Sequence, residues 1–432
     1  AANNSMYTHD VSGTDSTAAQ NTAYGFAAMD AITTGDKNVG IGYSSLSALT
    51  TGETNVAIGR SAGELLVEGS RNTAVGAYAL SQENAHGRNV AVGYGALLVQ
   101  DAGADGYNVA VGYQAGAAVS TGVENTIVGA LAGDALNSGG YNVAVGTNSL
   151  SAATTSSFNV AVGRSALFTN ILASRNTAIG HQALYTHNTA GATDTYNTAV
   201  GYKAGTLIST GVGNTLIGSL AGDTLTTGAY NVALGMQALE SETAYGRNVA
   251  IGYYALGSQN AGADAYNVAI GYEAGKVVTT GIKNILVGGK AGDALTEGAH
   301  NIVIGYNALS TEDVGGYNVA IGENALNALK TESAAYNIAI GHNAGQAMST
   351  GTHNTLVGGN TGGALTSGGY NTVLGYGALA AEDAHGKNVA IGYSALAAQD
   401  AGADAYNVAV GYNAGAAVTT GLYNTIVGGS AL

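Results

Sequence analysis

A five-residue phrase, Asn-(Val/Thr)-Ala-(Val/Ile)-Gly, returns along this chain at a nearly fixed interval, and that interval limits the available folds more than any single residue does. It reads Asn55-Val56-Ala57-Ile58-Gly59 early in the chain and Asn388-Val389-Ala390-Ile391-Gly392 late in it. Twenty-four copies run from Asn21 to Asn424. Successive asparagines stand seventeen positions apart in eighteen cases, nineteen apart in four and twenty-one apart in one. Gly stands four residues after every Asn; the seventh position is Ala except at Ser45, Ser149 and Thr361, and the eighth is Leu or Gly except at Met29.

Seventeen residues are too few for two packed helices with their turns, whereas Gly-bounded, β-branched pentads favour strands. The expected fold is therefore all-β, a parallel β-solenoid (β-roll or β-helix) of about 24 coils, one per repeat. Rungs about 4.8 Å apart would make a rod on the order of 115 Å long. Residues 21–432 form one repeat domain, and residues 1–20, which do not follow the pattern, are expected to be an N-terminal cap or connector. The structural positions of the repeat are exemplified by Asn55, Gly59, Asn108, Gly112, Asn197, Gly201, Asn267, Gly271, Asn388, Gly392, Asn407 and Gly411, the asparagines stacking as an amide ladder.

Side chains of a strand alternate between faces. One face carries the Asn, Ala and Gly; the other carries Val/Thr, Val/Ile and, in register with them, 20 of the 26 tyrosines, just before the Asn or just after the Gly. Both faces are apolar or small, so one suits a narrow coil interior and the other needs a cover. Packing of that second face on sister chains around a common axis is expected, with three chains closing the arrangement. The alternative is that Val and Ile fill a wide interior while Ala and Gly make the outer wall. In a variant coil the Ala becomes Ile127, Leu216, Leu286, Leu356 or Ile426, and the residue after the Gly shrinks to Ala130, Ser219, Gly289, Gly359 or Gly429. Bulk is then expected to pass from one face to the other.

Composition excludes several classes. Gly contributes 68 of 432 residues without a Gly-X-Y period, Pro is absent and 46% of residues are hydrophobic, so neither collagen nor a solvated disordered polymer fits. Without Cys there are no disulfides, thiolate catalysis or Cys-based zinc sites, and the redox compartment stays open. A net charge of −15 disfavours nucleic acid and anionic membranes as partners. No apolar run approaches a spanning helix, so no membrane insertion is expected. The polar start, residues 1–20, lacks the regions of a signal peptide, as in a mature or fragmentary chain. Residues 424–432 stop partway through a coil, where further chain or another molecule is expected over the edge.

Chemistry beyond the repeat is sparse. The eight histidines (9, 86, 181, 187, 300, 342, 353 and 385) lack metal-binding helix spacing and read as solvated turn residues. Asp101 with Asp105, and Asp400 with Asp404, lie in the two-residue insertions before Asn108 and Asn407; paired acids on a loop can hold a cation or hydrolyse a glycan, but acids in turns are usually just solvated. Glu312-Asp313 and Glu382-Asp383 read the same way. No Gly-Lys-(Ser/Thr) phosphate loop occurs. Tyrosines outside the two columns, Tyr78, Tyr185, Tyr245 and Tyr254, are the expected exposed stacking candidates for a sugar, though surface packing between coils is the stronger reading of them. The chain is expected to be no enzyme, with no catalytic, cofactor or metal set.

The pentads resemble the Asn-Thr-Ala-Val-Gly-Tyr-x-Ala-(Leu/Gly) repeats of bacteriophage tail fibres, here Asn197-Thr198-Ala199-Val200-Gly201-Tyr202-Lys203-Ala204-Gly205. They are also similar to the head repeats of YadA-like trimeric adhesins, whose Val-Ala-Ile-Gly core stands at 56–59, 249–252, 319–322 and 389–392. The resemblance implies a left-handed, homotrimeric β-roll. The repeat unit here is longer than the adhesin one, which favours the fibre. The implied role is a structural shaft in a virion tail fibre that supports host attachment, its partners being itself and a cell-surface glycan or protein receptor. Alternatives are a bacterial surface adhesin, a self-assembling extracellular filament and, from the enzyme class, a glycan-degrading tailspike.

Overall fold

A computed structural model of the chain describes residues 6, 7 and 17–432; among them there is no helix. The architecture is an all-β parallel β-solenoid of about 24 coils, each with one three-residue strand. Two compact units, 1–214 and 215–432, divide the chain. The first holds eleven such strands, Thr22–Tyr24 through Thr198–Val200, and the second thirteen, Thr215–Ile217 through Thr425–Val427.

Pairing is parallel and in register with the sequence repeat. In the first unit Val56, Ala57 and Ile58 lie opposite Thr73, Ala74 and Val75. In the second, Val389, Ala390 and Ile391 lie opposite Val408, Ala409 and Val410, although the coil between them carries a two-residue insertion. The extra residues of a long coil therefore leave the ladder untouched and are accommodated in the turn. Met6–Tyr7 adds a further parallel rung, Met6 pairing with Thr22; the rest of the expected cap or connector within residues 1–16 lies outside the described residues.

The middle residue of each strand points inward. Ala57, Ala110, Ala199 and Ala390 are buried, as are the larger Ile127, Leu216 and Leu286. The flanking residues face out: Val56 is half-buried and Ile58 exposed. The alternative with the flanking Val and Ile inside is thereby excluded, because it is the middle residue of the strand, whether Ala or a larger one, that is buried. The rest of the core comes from the seventh, eighth and eleventh positions after the Asn, for example Ala62 with Leu66, and Ala96 with Leu97.

Two positions explain the glycines. At the fourth, Gly59 has φ 138° and a Cβ there would lie 2.6 Å from the carbonyl carbon and oxygen of Gly76 in the next coil. Neither that φ nor that distance admits a side chain. The eighth position lies in the left-handed region whether it is Gly63 (φ 57°) or Leu46 (φ 50°). Leu accepts the strain because its side chain is buried there, worth roughly 2 kcal/mol. Gly replaces it where the space is taken: a Cβ on Gly116 would meet Ile127 Cδ1 at 2.9 Å, Leu97 Cδ2 at 3.1 Å and Val119 Cγ2 at 3.2 Å. The large Ile127 or Leu286 also finds room inside the coil, where Gly at the eighth positions lies against it.

Candidate functional site

The asparagine column is a continuous hydrogen-bond device within each unit. Along the column the backbone N–H of an Asn donates to Oδ1 of the Asn one coil earlier: Asn55 to Asn38 at 2.9 Å, Asn125 to Asn108 at 2.9 Å, Asn284 to Asn267 at 2.8 Å, Asn424 to Asn407 at 2.8 Å. The amide nitrogen donates to a turn carbonyl near the end of its own coil, as from Asn55 to Gly69 at 2.8 Å, Asn197 to Gly211 at 2.8 Å and Asn267 to Gly281 at 2.7 Å. Asn is the residue that offers an acceptor and donors from one short planar group. The paired glycines share one conformation: Gly112, Gly201, Gly271, Gly392 and Gly411 have φ of 144°, 140°, 140°, 134° and 140°.

Where a coil with a two-residue insertion begins, at Asn89, Asn248, Asn318 and Asn388, the corresponding carbonyl sits in the insertion and that bond is lost. Asn89 Nδ2 instead reaches Glu83 Oε2 at 3.4 Å, and Asn318 Nδ2 turns back to the Gly316 carbonyl at 3.3 Å. Asn248 Nδ2 and Asn388 Nδ2 are buried without a hydrogen-bond partner. In each case the preceding coil carries a fully buried glutamate at its eleventh position: Glu83, Glu242, Glu312 or Glu382. The carboxylates accept backbone N–H groups of their own turns, Glu83 from His86 at 3.2 Å, Glu242 from Thr243 at 3.1 Å and Tyr245 at 3.2 Å, and Glu382 from His385 at 3.2 Å. Burial outweighs those bonds and pushes Glu83 up to about 7; it raises Glu242 and Glu382 as well. Within three of the long coils the eleventh position is a buried Gln, and Gln100, Gln259 and Gln399 accept from Asn108, Asn267 and Asn407 at 2.8, 2.6 and 2.7 Å.

The longest coil, from Asn176 to Asn197, is built differently. His187 occupies its eleventh position and is fully buried, with Nε2 3.0 Å from Thr195 Oγ1. The Thr195 hydroxyl donates to Asn176 Oδ1 at 2.7 Å, so Nε2 is assigned as the donor to Thr195. Burial lowers the imidazole to about 4. His187 therefore departs from the expectation of a solvated turn, whereas His86 and His385 remain partly exposed turn residues whose rings lie beside buried glutamates.

One acid of each pair is tied to the preceding coil. Asp105 Oδ1 accepts from Gly87 N at 3.1 Å while Oδ2 pairs with Arg88 at 3.0 Å; Asp404 does the same with Gly386 at 3.1 Å and Lys387 at 2.7 Å. Lys387 holds the Asp404 carboxyl below the usual range. Asp264 repeats the arrangement with Gly246 and Arg247. These acids brace insertions, and Asp101 and Asp400 do not join them. Of the tyrosines outside the columns Tyr245 is exposed as expected, at 38%, but Tyr78, Tyr185 and Tyr254 are half-buried, and the column residues Tyr113 and Tyr196 are more exposed, at 53% and 61%.

The outward face presents aromatic columns. In the second unit His300, Tyr317, Tyr336, His353 and Tyr370 form one stack, with successive centroids 4.8, 5.1, 5.3 and 4.9 Å apart. In the first, Tyr141 stacks on Phe158 at 4.9 Å and Tyr94 on Tyr113 at 5.6 Å. The buried eleventh-position residues were missed in the sequence, although a signal exists: all ten coils with Gly at the eighth position have an apolar eleventh residue, and the polar ones follow Leu. The chain matches no protein-family model, and no curated protein is similar to it.

Proposed function

We propose that the chain is a noncatalytic structural fibre protein, a homotrimeric and left-handed β-solenoid shaft of a phage tail fibre that supports host attachment. The observation that carries the reading is the outward strip of half-exposed Val and Ile flanked by stacked Tyr, repeated rung by rung in each unit. A strip of this kind outgrows the few hundred Å² of apolar surface usual on a monomer. A partner that meets it equally at every rung must itself repeat with the rung spacing, and a second copy of this chain does so. Three copies close the contact around an axis without leaving a free strip. The mechanism is mechanical: backbone ladders and the Asn column resist bending within a chain, and apolar contact between chains adds to that resistance. The receptor, a cell-surface glycan or protein, is met at the distal end of such a shaft.

Negative-stain electron microscopy of the purified chain tests the reading. Slender, unbranched shafts of uniform width are expected, and antibody against the chain should decorate the tail fibres of the virion that carries it. Compact particles, or decoration of a bacterial envelope instead, contradict it.

A further inference from the structure

Two turns gather a buried carboxylate, an imidazole and a second carboxylate. In the first unit one ligand atom each of Glu83, His86 and Asp101 lie within 4.8 Å of one another; in the second unit the same holds for Glu382, Asp383 and His385. The Glu and the His occupy the same place in the repeat in both clusters, while the second carboxylate comes from the next coil in one and from the residue after the Glu in the other. The Glu is eleventh after Asn72 or Asn371, the His follows three residues later, and a long coil comes next. Spacing alone does not reveal the first set, because Asp101 belongs to that next coil.

The geometry inside each cluster is unfinished as hydrogen bonding. His86 Nδ1 is 4.0 Å from Glu83 Oε1, and His385 Nδ1 is 3.7 Å from Glu382 Oε1, both beyond hydrogen-bond reach. Both Nδ1 atoms and Glu382 Oε2 are buried without a partner, on a glutamate that is itself fully buried. Buried acceptors in native proteins are almost always satisfied, and a cation is the species that satisfies a nitrogen and several carboxylate oxygens together. Asp101 and Asp383 are both exposed and so leave a way in from solvent. Asp105 and Asp404 are not available, being held by Arg88 and Lys387.

The two remaining glutamate turns serve as internal comparisons. Glu242 has Tyr245 and Asn260 where the first cluster has His86 and Asp101. Glu312 has Gly315 and Lys330 there, and its Oε2 accepts from the Thr331 hydroxyl at 2.9 Å. Neither offers an imidazole.

We propose that Glu83, His86 and Asp101, and likewise Glu382, His385 and Asp383, are two divalent-cation sites that pin a turn of the solenoid, one in each unit. One imidazole with two carboxylates suits a borderline ion such as Zn²⁺, whereas Ca²⁺ and Mg²⁺ take oxygen donors alone. Water completes the coordination from the open side. The two sites do not depend on the fibre reading.

Isothermal titration of the metal-free full chain with ZnCl₂ tests them. Two Zn²⁺ per chain are expected, and CaCl₂ at the same concentrations should give no binding. His86→Ala or His385→Ala should each leave one site, and the double variant should weaken binding by about tenfold or more, while Glu242→Gln keeps both sites. Circular dichroism of the metal-free variants checks their fold. X-ray absorption at the zinc edge of the unmodified chain needs no variant and should show one imidazole per zinc. Zn²⁺ binding unchanged in the double variant, equal binding of Ca²⁺, or a coordination shell without imidazole overturns the proposal.

Discussion

The side-chain oxygen of Asn108 accepts both nitrogens of Asn125, the backbone N–H at 2.9 Å and the amide at 3.1 Å, so one buried atom joins two successive coils. Asn125 passes the arrangement on, its own Oδ1 accepting from Asn142 N at 3.0 Å while its amide reaches the Gly139 carbonyl at 3.0 Å. Asn125→Ala keeps the backbone bond to Asn108 but removes every bond made by the Asn125 side chain and strands the buried N–H of Asn142. A loss of about 2 to 4 kcal/mol in equilibrium urea unfolding is expected; a change below about 0.5 kcal/mol would show that the column is decorative.

Gly112 and Gly103 are both positive-φ glycines, at 144° and 69°, with different surroundings. A Cβ on Gly112 would lie 2.5 Å from the Gly129 carbonyl oxygen, whereas one on Gly103 meets nothing within 4 Å. Gly112→Ala should prevent stacking of the coils and cost more than about 3 kcal/mol, and Gly103→Ala should cost only about 1 kcal/mol of backbone strain. Thermal melts of the two variants side by side decide the point, equal losses counting against the close-approach explanation.

Burial of His187 makes stability depend on pH with a definite sign. Its value falls from 6.5 to about 4 in the folded chain, so the unfolded chain takes up a proton first. The stabilisation is complete above pH 6.5 and drains away as pH drops towards 4, by up to about 3 kcal/mol. His187→Gln should flatten that slope relative to the parent chain in urea titrations at stepped pH. Parallel slopes would mean that the imidazole is solvated.

Glu242 carries the opposite sign, because burial raises its carboxyl above 4.5. Its contribution is present below pH 4.5 and is lost as pH rises through the raised value. The amide of Glu242→Gln can still accept the N–H groups of Thr243 and Tyr245 without becoming charged. The variant should melt higher than the parent at about pH 8 and by a smaller margin at about pH 4; a lower melting temperature under the alkaline condition would indicate that the ionised form is the stabilising one.

The architecture was legible because a strand has a period of two and the coil a period of seventeen, and both survive in the letters. Alternation separated Ala57 from Val56 and Ile58, although two apolar faces left the choice of interior to volume, which the narrow coil resolves in favour of Ala57. The buried polar residues were hidden because Glu83, Gln100 and His187 stand among turn residues, where polarity normally means water. Only their coupling to Leu80, Leu97 and Leu184 three residues earlier marks them as core, against Gly63 with Leu66 and Gly116 with Val119 elsewhere. Asp101 and Asp105 looked like a pair in sequence, yet the tie of Asp105 to Arg88 depends on backbone of the preceding coil.

The proposed function depends on what covers the Val, Ile and Tyr side of the rungs. Sedimentation equilibrium of the full chain, followed through serial dilution into the nanomolar range, measures it directly. A trimeric shaft requires a single species of three times 42.5 kDa that persists on dilution. A stable 42.5 kDa monomer with its outward face in water would contradict it.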